Sequence, residues 1–399
     1  MKIFCIIDGL GDRGCRVLGG KTPLEYAAIP NLNEMAKNGK TGLVYPVEPG
    51  YVPQSDEGVL SLLGYNLKKF YTGRGVIEAI GANMQFKQGD LALRANFATL
   101  VGGKLVDRRV GRSLSSDEAK KLAQDVNKYV KLDIGFEFRH TVEHRGVLIL
   151  KRNQGIILSD KISNVDGEYG GSLACRALNK NAYNTAIIVN EFLANSREIL
   201  KDNKINLKRK KMGLLEANFI LLRGAGNNIP ILKKKKNWCA VLSMPVEIGI
   251  ARLCGMQVKQ VKVPALKRDI YDSLYKKLNL AIKTAIKSIK SKDYEHYYIH
   301  FKEIDIPGHD NRPNDKVKML ELLDKKFFSF IKKIKNVEII VTGDHSTPCE
   351  LRKHSEDPVP LLWYGKTADD TQEFNEVACK KGELGELFGD EILSLCGWE

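Results

Sequence analysis

At 399 residues, with 43% apolar and 28% charged side chains, the chain has the length for two or three domains and reads as a soluble globular protein. No run approaches the roughly 18 apolar residues of a membrane span, the stretch Ile3 to Ile7 is too short for a signal-peptide core, and eight scattered cysteines without a C-x-x-C pair fit reduced cytoplasmic thiols. The net charge of +15 fits a nucleic-acid partner, an anionic substrate or simply a lysine-rich proteome.

In chain order, residues 2–8 form a short buried strand that ends in a carboxylate, Asp8. Gly9, Gly11 and Gly14 then spell G-x-G-x-x-G, but a dinucleotide fingerprint needs a helix to open at the third glycine. Gly19, Gly20 and Pro23 keep this segment irregular, and Asp8 and Asp12 would repel a pyrophosphate, so a metal suits it better. A helix from about Asn31 to Lys37 and a strand from Gly42 to Val47 follow. The loop EPGYVPQ delivers Ser55 to the start of the helix SDEGVLSLL. Ser55 reads either as an N-cap or as a nucleophile whose oxyanion and incoming phosphate the helix N-terminus stabilises.

From Met84 to Ile229 the texture changes. Leu91 to Leu100 and Lys104 to Val106 read as a hairpin across Val101-Gly102-Gly103, and Phe136 to Thr141 and Gly146 to Leu150 as a second strand pair. Asn181 to Leu200 reads as a helix and Asn218 to Arg223 as a strand. Arg94, Arg108, Arg109, Arg112, Arg145 and Arg223 gather near the turns, and the planar guanidinium fork binds phosphate or carboxylate in bidentate fashion. The cluster DRRVGR (107–112) is therefore a candidate anion site or a solvated surface. The lysine runs at 204–211 and 233–236 lack interleaved aromatic residues and read as solvated faces rather than a nucleic-acid interface.

From Asn237 an alternating α/β pattern resumes. Ile270 to Lys290 carries a helical apolar stripe, and Tyr297 to Phe301 is a strand. Asp305 and His309 follow, separated by a Pro-Gly turn. A long amphipathic helix then presents Val317, Leu320, Leu323, Phe327, Ile331 and Ile334 on one side. Val337 to Thr342 is a buried strand, broken by Gly343, with Asp344 and His345 adjacent and His354 nine positions on. A turn with a capping Asp would explain Asp344 alone.

Three strands thus end in metal-capable groups, at the end of a parallel sheet where α/β proteins hold ligands. Of seven histidines, His309, His345 and His354 lie in these short tails. The inventory of carboxylates and imidazoles divides into a nitrogen-rich and an oxygen-rich metal site, and two metals about 3.5–4 Å apart can activate a nucleophile and clamp an in-line phosphoryl transfer. Mixed imidazole and carboxylate ligands suit Mn²⁺ or Zn²⁺ and argue against Ca²⁺.

The segments DGLGD (8–12), LGGKTPLE (18–25), PNL (30–32), GRG (73–75), RANFAT (94–99), VDRRVGR (106–112), LRGAG (222–226), HFKEIDIPGHD (300–310) and TGDHSTPCELRKHSEDPVP (342–360) span nearly the whole chain. Together they resemble the archaeal-type, cofactor-independent phosphoglycerate mutases of the alkaline phosphatase superfamily. The resemblance implies an α/β fold: an alkaline-phosphatase-like core, mainly parallel, at residues 1–80 and 233–399, interrupted by an inserted α+β substrate domain at 81–232. It implies interconversion of 3-phosphoglycerate and 2-phosphoglycerate through a phosphoserine, with Ser55 as nucleophile. Asp8, Ser55, Asp344 and His345 would bind one metal, and Asp305, His309 and His354 the other. Mn²⁺ is the expected ion, with Zn²⁺, Co²⁺ and Mg²⁺ as alternatives. Lys302 would help neutralise the phosphate, and Asp107, Arg109, Arg112, His144, Arg145 and Arg223 would hold the glycerate. The implied partner is the small phosphoglycerate, with no nucleic acid or membrane, and the protein a cytoplasmic monomer or small homo-oligomer.

A metal-dependent phosphatase or phosphodiesterase of the same superfamily is the alternative; a basic scaffold protein leaves the ligand set without a use. The chain departs from the family pattern at Gln54, where a glycine is usual, at Glu57, which adds negative charge near the phosphate, and at 163–167 and 263–266.

Overall fold

The structure, a computed structural model, describes residues 1–153, 155–166, 172–262 and 270–398. The departure at 263–266 and Gly167 of the earlier one lie outside the described residues. In chain order the strands are β1 (Lys2–Ile7), β2 (Gly39–Tyr45), β3 (Leu91–Val101), β4 (Lys104–Asp107), β5 (Phe136–His140), β6 (Arg145–Leu150), β7 (Phe219–Gly226), β8 (Trp238–Leu242), β9 (Gln257–Gln260), β10 (His296–Phe301), β11 (Glu338–Thr342), β12 (Val359–Tyr364) and β13 (Gly385–Phe388).

Continuous apolar runs such as Ile3 to Ile7 and Ile339 to Val341 are covered on both faces, as parallel strands between helix layers must be. They form the middle of an eight-stranded sheet in the order β13-β2-β12-β11-β1-β10-β8-β9. β1 runs parallel to β10 and β11, β10 to β8, and β8 to β9, while β12 is antiparallel to both its neighbours. β3 to β7 form a separate antiparallel sheet in which β3 pairs with β4, β6 and β7. Each sheet has its own hydrophobic core. The helix Arg74–Gly81 packs between the helix Pro245–Leu253 and the second sheet. Gly81 is essential to that approach, because a Cβ there would lie 1.7 Å from the Pro245 carbonyl oxygen.

Several local expectations need correction. Asp305 and His309 are not separated by a turn: Asp305–His309 is one helical turn, and Pro307 is tolerated because it falls where backbone N–H groups lack helical partners. The long amphipathic stretch is helical from Pro313 but widens to a π-turn at Asp324–Phe328. There the buried Asp324 carboxylate accepts from the backbone N–H groups of Asn31 and Leu32, capping the helix Pro30–Lys37. The basic run 204–211 is a helix, and it is not wholly solvated. Arg209 is 1% exposed and donates to the Leu215 carbonyl and to Ser113. The helix Ser116–Tyr129 escaped the pattern reading, although Ser115 and Glu118 form the capping box that announces it. No described helix is long and apolar enough to cross a membrane.

Candidate active site

Strand register assembles the site. Ile7 lies opposite Phe301 on one side and Ile6 opposite Thr342 on the other, so Asp8, Lys302 and Asp344 emerge together where the three strands end. Asp8, Asp344 and His345 offer ligand atoms within 4.8 Å of one another, and so do Asp305, His309 and His354. In the first group His345 Nε2 lies 3.3 Å from Asp8 Oδ1 and 3.6 Å from Asp344 Oδ2. In the second, His309 Nε2 lies 3.3 Å from Asp305 Oδ2 and His354 Nε2 3.9 Å from Asp305 Oδ1. The groups adjoin, since the His345 and His354 rings stack 3.6 Å apart.

Each of these imidazoles is held through its other nitrogen. Nδ1 of His309 meets the Arg352 carbonyl at 3.0 Å, that of His354 the Pro53 carbonyl at 2.9 Å, and that of His345 the Thr347 hydroxyl at 3.0 Å. Fixing Nδ1 in this way leaves Nε2 to a metal. Burial, and then His345, push His354 down to about 3; burial lowers His345 as well, so both rings are neutral. Asp305 raises His309. Burial alone would raise the Asp305 carboxyl, but His309 and the other two imidazoles hold it well below the usual range.

The donor set fits divalent cations. Atoms held about 3.4 Å apart match the edge of a tetrahedron with 2.1 Å bonds. Among the described residues Asp8 Oδ1 and Asp344 Oδ2 are buried without a hydrogen-bond partner, which carboxylate oxygens rarely are unless an ion answers them.

Ser55 opens the helix Ser55–Leu62 as its first residue, and the cap position is taken by Gln54, so the capping reading of Ser55 fails. Its Oγ instead lies 3.4 Å from His345 Nε2 and 3.3 Å from Lys302 Nζ. Asp56 next to it is locked by the Tyr71 hydroxyl at 2.6 Å and Arg74 at 3.1 Å. The departures beside Ser55 prove harmless to the turn. Gln54 has extended backbone, φ −90° and ψ 161°, open to any residue. Glu57 turns back on its own loop, accepting from the Gln54 N–H and the Tyr51 hydroxyl at 2.8 Å each. Gly58 matters more than either, because a Cβ there would sit 2.0 Å from the Asp344 carbonyl oxygen. Gly58→Ala should therefore push Ser55 away from Asp344 by about 1 Å and lower kcat roughly 100-fold. Steady-state kinetics would check this, and an unimpaired variant would show that the helix can yield without disturbing the site.

Above these groups opens a cleft of about 1060 Å³ between the two sheets. Ser55, Lys302, Asp305, His309 and His354 line one side, and Asp107, Arg109, Arg112, His144, Arg145 and Arg223 the other. Asp8, Asp344 and His345 lie fully buried. Asp107 Oδ1 accepts from the N–H groups of Arg109 and Gly111, shaping the basic turn. Arg112 pairs with Asp310 at 2.7 Å and Lys277 with Glu143 at 2.8 Å, joining the two walls. Burial first, then Arg112 and Arg145, lower Arg109 to about 10, so it stays charged at neutral pH. Burial, then the neighbouring arginines, keep His144 neutral. This concentration of guanidinium groups suits an anionic guest.

Pattern reading missed Arg74, Glu78, Glu247 and His300 and left Arg94 outside the site. Arg94 lies within β3 rather than at a turn, near Glu78, which Arg74 also engages. The sequence hints at Glu247 only as a lone carboxylate in the apolar helix PVEIGIARL, a pattern that a solvated helix face also gives.

The model of the family described as 2,3-bisphosphoglycerate-independent phosphoglycerate mutase matches residues 36–206. The 2,3-bisphosphoglycerate-independent phosphoglycerate mutase of Pyrococcus abyssi is 38% identical, over 98% of this chain and 96% of that relative. A solved Pyrococcus horikoshii protein matches with a TM-score of 0.79 and 30% identity, over 100% of this chain and 97% of that one. The solved cofactor-independent phosphoglycerate mutase of Thermoplasma acidophilum matches with a TM-score of 0.62 and 30% identity, over 99% and 98% of the two chains.

Proposed function

Since this chain belongs to the 2,3-bisphosphoglycerate-independent phosphoglycerate mutase family, whose chemistry is intramolecular phosphoryl transfer by an isomerase, we propose that it interconverts 3-phosphoglycerate and 2-phosphoglycerate through a phosphoserine at Ser55. The observation that carries this is the setting of Ser55 Oγ, 3.4 Å from His345 Nε2 and 3.3 Å from Lys302 Nζ, facing a guanidinium-lined cleft.

Asp8, Ser55, Asp344 and His345 would hold one divalent ion, and Asp305, His309 and His354 the other. When bound, these ions acidify the serine hydroxyl and offset charge on the transferring phosphoryl group. Lys302, whose pKa burial lowers against the pull of Asp344 and Asp305, adds a positive charge at the same hydroxyl. Arg109, Arg145 and Arg223 grip the glycerate while it turns between the two half-transfers. Asp107 shapes their turn, and Arg112 and His144 complete the wall. Closing the cleft excludes the water that would hydrolyse phosphoserine. The mixed nitrogen and oxygen ligands suit Mn²⁺ or Zn²⁺, and Mn²⁺ is the ion we propose. The division at residues 80 and 232 assigns the catalytic and gripping sides to the core and the inserted domain. Eight buried free thiols support a cytoplasmic setting.

Phosphorus NMR of the Mn²⁺-loaded protein with 3-phosphoglycerate tests the proposal. The expected product is 2-phosphoglycerate with little inorganic phosphate. Inorganic phosphate as the main product would make the protein a phosphatase.

A further inference from the structure

Asp8 turns its two oxygens to different neighbours. Oδ1 lies 3.3 Å from His345 Nε2, in the first metal group. Oδ2 lies 3.3 Å from His300 Nε2 and against the Lys302 ammonium. Around this second oxygen Asp8, Glu247 and His300 present ligand atoms within 4.8 Å of one another, a cluster that the two-ion reading does not use. All three are buried, Glu247 at 1% and His300 at 3% exposed. Among the described residues neither Oε2 of Glu247 nor Nε2 of His300 has a hydrogen-bond partner. His300 is oriented like a metal ligand, its Nδ1 2.9 Å from the Tyr298 hydroxyl and its Nε2 directed at Asp8.

One cation is already there. Lys302 Nζ lies against Asp8 Oδ2 and 3.0 Å from Glu247 Oε1. An ion bonded at about 2.1 Å to both carboxylates would press on that ammonium, and like charges repel strongly where water is excluded. The space holds a lysine or a divalent ion, not both.

We propose that the Lys302 ammonium is the resident cation of this third ligand cluster, and that Glu247 is the residue that positions it beside Ser55. The chain thereby places a third positive charge at its nucleophile without recruiting a third metal ion. This rests on the two-ion reading given above.

Metal analysis of the full-length protein, equilibrated with Mn²⁺ and freed of excess by gel filtration, tests it. The unsubstituted protein should hold two ions per chain; any other number would fault the two-ion reading itself. Lys302→Met should raise the count by one over the unsubstituted protein, and Lys302→Met combined with Glu247→Gln should bring it back. Lys302→Gln serves as a second single variant, with circular dichroism confirming the fold of each. No gain in a folded Lys302 variant would overturn the proposal, and a third ion retained in the double variant would remove Glu247 from it. Glu247→Gln alone should keep two ions and lower kcat at least about tenfold with little change in KM. A change confined to KM or to stability would make Glu247 merely structural.

Discussion

Ser55→Ala should lower turnover by at least about 10⁴-fold, the scale seen when a covalent nucleophile is removed, while both metal ions stay bound. The geometry separates these effects. Ser55 is the first residue inside its helix and does not cap it, so alanine there removes no backbone hydrogen bond and should change stability by less than about 0.5 kcal/mol. Ser55 gives its group one hydroxyl, whereas Asp8, Asp344 and His345 keep two buried carboxylates and a neutral imidazole in place. Oxygen loss from a ligand set weakens the ion, but carboxylates and imidazole hold most of the affinity. The decisive readout is covalent. Acid-quenched unsubstituted protein should carry phosphate on Ser55 after mixing with 3-phosphoglycerate, and the variant should carry none. A variant that turns over normally, or one still phosphorylated, would take Ser55 out of the mechanism.

Residues at the ends of buried strands were legible in the sequence, whereas His300 and Glu247, inside a strand and a helix, were not. Asp8 and Asp344 each follow an apolar run whose length leaves little freedom in where the next side chain emerges, so strand pairing alone brings them together. His300 obeys the same geometry but belongs to β10 itself, two residues after Tyr298, and reads as one more residue of a buried strand. Glu247 was obscured for the opposite reason. One charge per helical turn normally marks the solvated face, yet the helix Pro245–Leu253 is buried almost throughout. At Asp305 and His309 the sequence discloses the residues but not the backbone, because Pro-Gly signals a turn as strongly as it permits a first helical turn. The departures at Gln54 and Glu57 depended on torsion angles and hydrogen-bond partners that no residue type discloses.

Exhaustive chelation should abolish turnover and lower the melting temperature on the order of 10 °C, both reversed by Mn²⁺. Asp8 and Asp344 are fully buried; among the described residues neither Asp8 Oδ1 nor Asp344 Oδ2 has a hydrogen-bond donor, and Asp8 Oδ2 lies against the Lys302 ammonium. Ions that bind only the folded chain stabilise it by about 2.7 kcal/mol each at a hundred times their Kd, and each kcal/mol moves the transition by about 2–4 °C in a chain of moderate size. The metal-free protein should nevertheless remain folded. Lys302 stands against Asp8, the Gly9 N–H donates to Asp344 Oδ1, and the Thr347 hydroxyl donates to Asp305 Oδ1, so each carboxylate retains a neighbour that offsets part of its charge. Calorimetry, far-ultraviolet circular dichroism and an activity assay on one chelated sample would separate the outcomes. Lost activity with an unchanged melting temperature would mean that the buried carboxylates are satisfied without metal, because an ion coordinated by them cannot leave without exposing their repulsion.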